Sequence, residues 1–219
     1  MLVDLHVHTH LSDDSKTTPE KYLEAASAHG RPLGAVCFTE HRRYPQGAEI
    51  DRHYGELSDR YGVLVIKGME ADTDLGHLLL FGLSDAALSR FDPEQRLLKS
   101  EHLIEIVHAE GGIAIPAHPF RDSGFGARLD ELVARHGSAL AAIEAINGQN
   151  SAEENDRAII AAKKLGLTAV GGSDAHFASA HWFLTCATEL ERSVRNVEEL
   201  CAEIREGRAQ PFVFDKKHA

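Results

Sequence analysis

Cysteine is scarce in this sequence: Cys37, Cys186 and Cys201 are the only three in 219 residues, and no two stand at redox or metal-pair spacing. A disulfide framework or a zinc ribbon needs more thiols, closer together, so these three read as small core side chains. Basic residues are in deficit, with 23 Lys and Arg against 34 Asp and Glu, a formal charge of −11 and a pI near 5.7. That balance disfavours a protein that grips duplex nucleic acid or an anionic membrane across a broad basic surface, although it leaves room for a local basic pocket. No apolar run reaches the roughly 18 residues of a membrane span, and the opening M-L-V-D-L-H-V-H is not a basic stretch followed by a long apolar one. A cytoplasmic protein that does not span a membrane is expected. Repeats, low-complexity tracts and Gly/Ser linkers are missing too, so one domain over 1–219 is expected, with a frayed tail at 216–219.

What is present is an ordinary globular composition, 43% apolar and 26% charged, with an unusual stock of fourteen histidines. Short runs rich in Val, Ile and Leu at 2–8, 34–39, 63–69, 77–82, 113–117, 142–146 and 168–172 predict strands. Helical stretches fall between them. Thr18-Pro19 starts one, with Gly30 after its end, and Asp92-Pro93 opens another running to Gly111. Leu129, Leu132 and Val133 mark a third that stops at Gly137. Ser151 with Glu154 forms a capping box ahead of Ala158, Ile159, Ala162 and Leu165, and 196–207 repeats the pattern. The segments 42–60 and 83–95 read as irregular loops. Such alternation predicts an α/β fold with a mostly parallel sheet. About seven units in one small domain favour a compact, irregular barrel, the alternative being an open doubly wound sheet.

Nearly every predicted strand ends in a metal-ligand residue type: His6 and His8, His41, Glu70, His118, then Asp174 and His176; His77 begins a strand instead. In parallel βα folds the strand carboxyl ends share one rim, so groups far apart in sequence converge there. Residues two apart on a strand share a face, so His6/His8 and Asp174/His176 can each aim two ligands at one point. Asp4 falls one step deeper on the same face, where a carboxylate could hold a histidine's other nitrogen. So many imidazoles and carboxylates together without cations would cost several kcal/mol each, which argues for bound metal.

D-L-H-V-H-T-H-L-S-D at 4–13, T-E-H at 39–41, G-M-E at 68–70, G-H at 76–77, P-A-H-P at 116–119 and G-G-S-D-A-H at 171–176 resemble the ordered motifs of the polymerase and histidinol phosphatase (PHP) family. The resemblance runs from Leu2 to about Gly207. It implies a distorted (β/α)7 barrel, single-domain, with a trinuclear metal centre at the strand ends that hydrolyses phosphate esters with a metal-activated hydroxide. Carried over by motif, one metal would take His6, His8, Glu70 and Asp174. The next would share Glu70 and add His77 and His118, and the third would take Asp13, His41 and His176, with Asp14 or His10 as alternatives to Asp13. Glu40 reads as a supporting partner rather than a ligand. Imidazole and carboxylate ligands without thiolate suit three divalent ions of Zn, Mn or Fe. Their +6 against −11 concentrates positive field in one cleft, which suits a small anionic phosphate-ester substrate.

Arg121, three residues past His118, is the first candidate for a phosphate fork. Arg42, Arg43 and Lys67 are further candidates for substrate contact, and His181 for protonating the leaving oxygen. Ser173, with no base of its own, reads as structural, and Asn147 either faces substrate or caps a turn. The 40 residues between His77 and His118 leave no space for a large insertion, so the cleft is expected to be open on that side. Competing readings are a metal-dependent amidohydrolase, a 3′–5′ exonuclease or proofreading module, and a non-catalytic metal-binding module. The oligomeric state is not legible.

Overall fold

The computed structural model describes residues 1–28, 33–122, 124–179 and 181–214. The expected stop at Gly30 and the tail at 216–219 lie outside the described residues. In chain order the elements are β1 (Leu2–Val7), α1 (Pro19–Ala28), β2 (Ala35–His41), α2 (Ala48–Tyr61), β3 (Leu64–Thr73), β4 (Gly76–Phe81), α3 (Asp85–Leu88) and α4 (Ser100–Ala109). There follow β5 (Ile113–Pro116), α5 (Leu129–His136), β6 (Ala142–Asn147), α6 (Ala152–Leu165), β7 (Thr168–Gly172), β8 (Cys186–Leu190), α7 (Val197–Arg205) and β9 (Ala209–Val213).

The strands form one sheet in the order β5-β4-β3-β2-β1-β8-β9 and a second of β6 and β7. Val7 bridges to Ala175, and the ends of β1 and β7 are joined by bonds from His8 N to Ala175 O (2.9 Å) and Asp174 N to His6 O (2.7 Å). On the other side His118 N, just past β5, donates to the Glu144 carboxylate of β6 at 2.7 Å. The two sheets thereby curl into a distorted α/β barrel. Glycine permits the closure, because a Cβ on Gly172 would lie 2.5 Å from the His6 Cβ and one on Gly171 2.6 Å from Ala187 O. Inside, one buried cluster takes side chains from every strand from β1 to β7, among them Val3, Cys37, Ile66, Phe81, Ile115 and Val170. Leu200, Cys201 and Ile204 of α7 join it. All three cysteines are buried and free.

The expectation of a mostly parallel sheet is corrected. β1–β2, β2–β3 and β6–β7 are parallel, but β3–β4, β4–β5, β1–β8 and β8–β9 are antiparallel. The β3–β4 connection is a tight hairpin turn pairing Thr73 with Gly76, far shorter than the dozen residues a parallel crossover needs. Gly76 takes φ +91°, open to glycine without strain. β8 and β9 were not foreseen, because C-A-T-E-L and A-Q-P-F-V are short and mix polar with apolar residues.

Among the helices, α6 begins with the reciprocal Ser151/Glu154 capping box and ends at left-handed Gly166. The 42–60 segment is not a loop throughout. Ile50, Tyr54, Leu57 and Tyr61 recur at helical spacing, and Tyr54 and Leu57 bury one face of α2. Within 83–95, α3 is capped by Ser84. The helix expected from Asp92-Pro93 starts instead at Ser100. Asp92 captures the Glu94 N–H with its side chain (3.0 Å) and the Gln95 N–H with its carbonyl (3.1 Å), closing a turn.

Candidate metal centre

The barrel closure sets His6 and His8, after the irregular register of β1, beside Asp174 at the end of β7 and opposite Glu70 of β3. All four are buried. His6 Nε2 and His8 Nε2 stand 3.2 and 3.3 Å from Glu70 Oε2, and 3.5 and 3.3 Å from Asp174 Oδ1. Ligands about 2.1 Å from a tetrahedral ion stand about 3.4 Å apart, so these spacings fit a first-row divalent cation. His6 Nε2, His8 Nε2 and Glu70 Oε2 are buried without a hydrogen-bond partner, an arrangement costly to keep unless something positive sits between them.

Two further groupings adjoin this one. His77 Nδ1 and His118 Nε2 approach Glu70 Oε1 at 2.7 and 2.8 Å, and His41 Nδ1 lies 3.2 Å from Glu70 Oε2. Asp14 Oδ2 lies 3.4 Å from His41 Nε2 and 3.3 Å from His176 Nε2. The His8 ring is stacked between those of His41 and His176, with centroids 4.4 and 4.3 Å away. The sets His6, His8, Glu70 and Asp174; His8, Asp14, His41 and His176; and His41, Glu70 and His77 each gather ligand atoms within 4.8 Å of one another. The expectation for Asp13 is corrected: its exposed carboxylate turns outward and pairs with Arg42, leaving Asp14 to face the histidines. His10 is exposed and its backbone N–H bonds to Thr17 O.

Outer nitrogens of these rings have partners that the sequence reading largely missed. Glu144 Oε1 sits 2.8 Å from His6 Nδ1, taking the role expected of Asp4. Asp4 instead accepts from the backbone N–H groups of His6 (3.2 Å) and Ser173 (2.9 Å). A charged residue inside the apolar strand A-I-E-A-I-N was the available signal for Glu144. Glu40 accepts from Thr9 Oγ1 and Ser12 Oγ, both at 2.6 Å, and Ser12 Oγ lies 3.3 Å from His8 Nδ1, the supporting place foreseen for Glu40. Asp72 Oδ1, which the reading passed over, lies 2.9 Å from His77 Nε2.

Charge in the metal-free cluster is shared through protons. Burial alone would neutralise Glu70, yet His77, His6 and His41 hold its carboxyl well below the usual range. His6, His8 and other neighbours do the same for Asp174 against its burial. Burial works against protonating His8 and His77, but adjoining carboxylates win and push the rings up to about 9 and about 10. Burial, with His8 and His77 nearby, lowers His41 to about 4. Asp14, with His176 and His41 outweighing its burial, falls to about 2.

Of the expected substrate contacts, Arg121 is at the cluster. Its Nη2 donates to Asp174 Oδ2 and to Asn147 Oδ1, each at 2.7 Å, and its Nε to Asn150 Oδ1 at 2.9 Å. Arg42 donates to Asp72 Oδ2 at 3.2 Å as well as to Asp13. Arg43 is exposed and forms no ion pair among the described residues. Lys67 does not reach the cluster: three residues from Glu70, it lies on the other face of β3, paired with Asp51 and 5.7 Å above the Tyr44 ring. His181 is exposed against Trp182 and forms no hydrogen bond or ion pair among the described residues. Ser173 is fully buried and bonded within the framework, and no helix among the described residues is long and apolar enough to cross a membrane.

Residues 152–209 match the PHP-associated family, PHP_C. A histidinol-phosphatase of Lactococcus lactis is 35% identical over 85 residues, 33% of this chain and 30% of that one, so the match spans under a third of that relative. Among solved structures, a Bacteroides vulgatus two-domain protein containing a predicted PHP-like metal-dependent phosphoesterase superposes with a TM-score of 0.71 at 20% identity, over 97% of this chain and 64% of that one. The lesion-specific endonuclease Q of Pyrococcus furiosus gives 0.70 at 19% identity, over 96% and 57%. The barrel, the convergent histidines and carboxylates and these partial likenesses together support a PHP-like metal-dependent phosphoesterase fold.

Proposed function

We propose that this chain hydrolyses a phosphate ester, a small phosphomonoester in the simplest case, at three divalent ions. One would be held by His6, His8, Glu70 and Asp174, one by Glu70, His77 and His118, and one by Asp14, His41 and His176. The observation that carries the reading is Glu70: one buried carboxylate whose two oxygens face His77 and His118 on one side and His6, His8 and His41 on the other. Divalent ions bound there would lower the pKa of water toward about 7 and offset charge on phosphoryl oxygens.

The chain's own groups supply orientation. Arg121 is clamped through Nε and Nη2 by Asn150, Asn147 and Asp174, leaving Nη1 to donate to a phosphoryl oxygen. That clamp fixes the guanidinium before substrate arrives, which lowers the ordering cost of binding. Phe125, exposed and stacked on the His77 ring with centroids 5.2 Å apart, gives the leaving group a flat apolar wall. The charge of −11 favours a small ester over a nucleic acid, and the likeness to endonuclease Q makes a phosphodiester the second reading.

The test is phosphate release by Mn-, Zn- or Fe-loaded protein from sugar phosphates, histidinol phosphate, nucleoside mono- and bisphosphates and a short oligonucleotide, with Asp174→Asn and His118→Ala as controls. Metal-dependent release, lost in both folded variants, is expected. Cleavage of the oligonucleotide alone would move the assignment to the phosphodiester reading, and no product from any substrate at full metal occupancy would overturn it in favour of amide hydrolysis or a binding role.

A further inference from the structure

The β3–β4 hairpin contains a feature that the ligand motifs do not require. Asp72 is two residues past Glu70 on the same face of β3, and the antiparallel register sets it directly opposite His77. The side chains form a line: Glu70 Oε1 is 2.7 Å from His77 Nδ1, and His77 Nε2 is 2.9 Å from Asp72 Oδ1. A neutral imidazole carries one N–H and one lone pair. An N–H directed from Nε2 to Asp72 therefore leaves the Nδ1 lone pair facing Glu70. Two acceptors 2.7 Å apart stand at hydrogen-bond distance and need a proton shared between them, or an ion that both would ligate once it had spread them.

Asp72 is itself held. It is 5% exposed, and its other oxygen accepts from Arg42 Nη1 at 3.2 Å and lies 3.8 Å from Arg96 Nε. Arg42 follows His41 with a left-handed φ of +49°, a costly conformation for a residue with a Cβ, and its second arm reaches Asp13 beside Asp14. The His77 ring is also flanked by Phe125 at an interplanar angle of 11°. Glu144 backs His6 Nδ1 across the site in the same manner.

We propose that Asp72 is a positioning residue: by accepting from His77 Nε2 it fixes the tautomer and tilt of that ring, so that Nδ1 is available to an ion shared with Glu70 and His118, and Arg42 keeps Asp72 in place. The proposal rests on the metal-dependent reading above.

Asp72→Ala, Asp72→Asn and Arg42→Met are compared with the wild type after stripping and reloading with Co(II). Ions bound per chain, the affinity of each binding step and the melting of the metal-free protein are followed. Asp72→Ala is expected to weaken one binding step about 10–100-fold and leave the others unchanged. Asp72→Asn, whose side-chain oxygen can still accept from Nε2, should recover most of that loss, and Arg42→Met should weaken the same step by less. Unchanged affinity in every step for both Asp72 variants would overturn the proposal. So would equal weakening of all steps together with a lower metal-free melting point, which would assign Asp72 to packing. A wild-type chain that takes up no Co(II) would overturn the metal-dependent reading itself, an outcome distinct from either.

Discussion

Asp4 illustrates how a single side chain beneath the site bears on stability. Burial lifts its carboxyl to about 7, outweighing the bonds it accepts from Ser173 and His6, whereas an unfolded aspartate titrates near about 4. The folded chain therefore holds a proton that the unfolded chain has released between those values. Stability falls as pH climbs through that window, and the full penalty, at most about 4 kcal/mol, stands above it. In metal-free protein Asp4→Asn should melt above the wild type at pH 8, with the gap shrinking toward pH 4. Identical melting at pH 8 would show that the carboxylate ionises there without cost. Arg121 belongs to the same scale. On the proposed role of Arg121 as a phosphate donor, Arg121→Met should lower kcat/KM by about 2 kcal/mol, roughly 30-fold, while Arg43→Met, at an exposed residue with no ion pair among the described residues, should leave it within about twofold.

At the scale of elements, α6 shows local chemistry written openly in the chain. Ser151, Glu154 and Gly166 mark its two ends, and both caps form as the residue types dictate. Ser151→Ala should cost about 1 kcal/mol, a fall of about 2–4 °C in Tm for a chain of this size, with ion binding untouched. A larger fall would mean that the cap also holds Asp122, whose N–H donates to Glu154 at 2.8 Å. The end of β1 was legible for a similar reason. His6 and His8 stand two apart there and both aim at Glu70 and Asp174, whereas Asp174, past the end of β7 with φ +55°, is placed with His176 by the turn after the strand and not by strand period. Less was visible where partners meet across strands. Asp72 gains its meaning from lying opposite His77, a register set by the turn at Gly76, and Glu144 from the approach of β6 to β1. The charged residues of α2 obscured its apolar spacing, and the choice between Asp13 and Asp14 depended on a loop conformation that no periodicity specifies.

For the molecule as a whole, protons and ions compete for the same atoms. Adjoining carboxylates hold the His8 and His77 rings protonated to about 9 and about 10 against the opposing effect of burial. Their folded values exceed the unfolded one near about 6.5, so the stability they lend the metal-free chain is complete below about 6.5 and is lost as pH rises through about 9–10. Ions can enter only by displacing those protons, and affinity should rise with pH. The Tm difference between loaded and metal-free protein should therefore widen from pH 6 to pH 9, and calorimetry in two buffers of different ionisation enthalpy should register proton release. A difference independent of pH would mean that ions enter without displacing protons.

Gly172, which lets β7 lie against β1, stands at a contact between residues far apart in the chain. Asp174 N and His6 O, 168 positions apart, are joined across that contact, so the first residues of the cluster to leave the ribosome wait for nearly the last. Long-range pairing of this kind is slow, because loop closure must precede the contacts that reward it. Until that contact forms, Asp174 is not held beside His6, His8 and Glu70. A divalent ion captured early by those three residues would hold the strand ends near the position that β7 must fill, making the metal a participant in assembly before it takes part in any reaction.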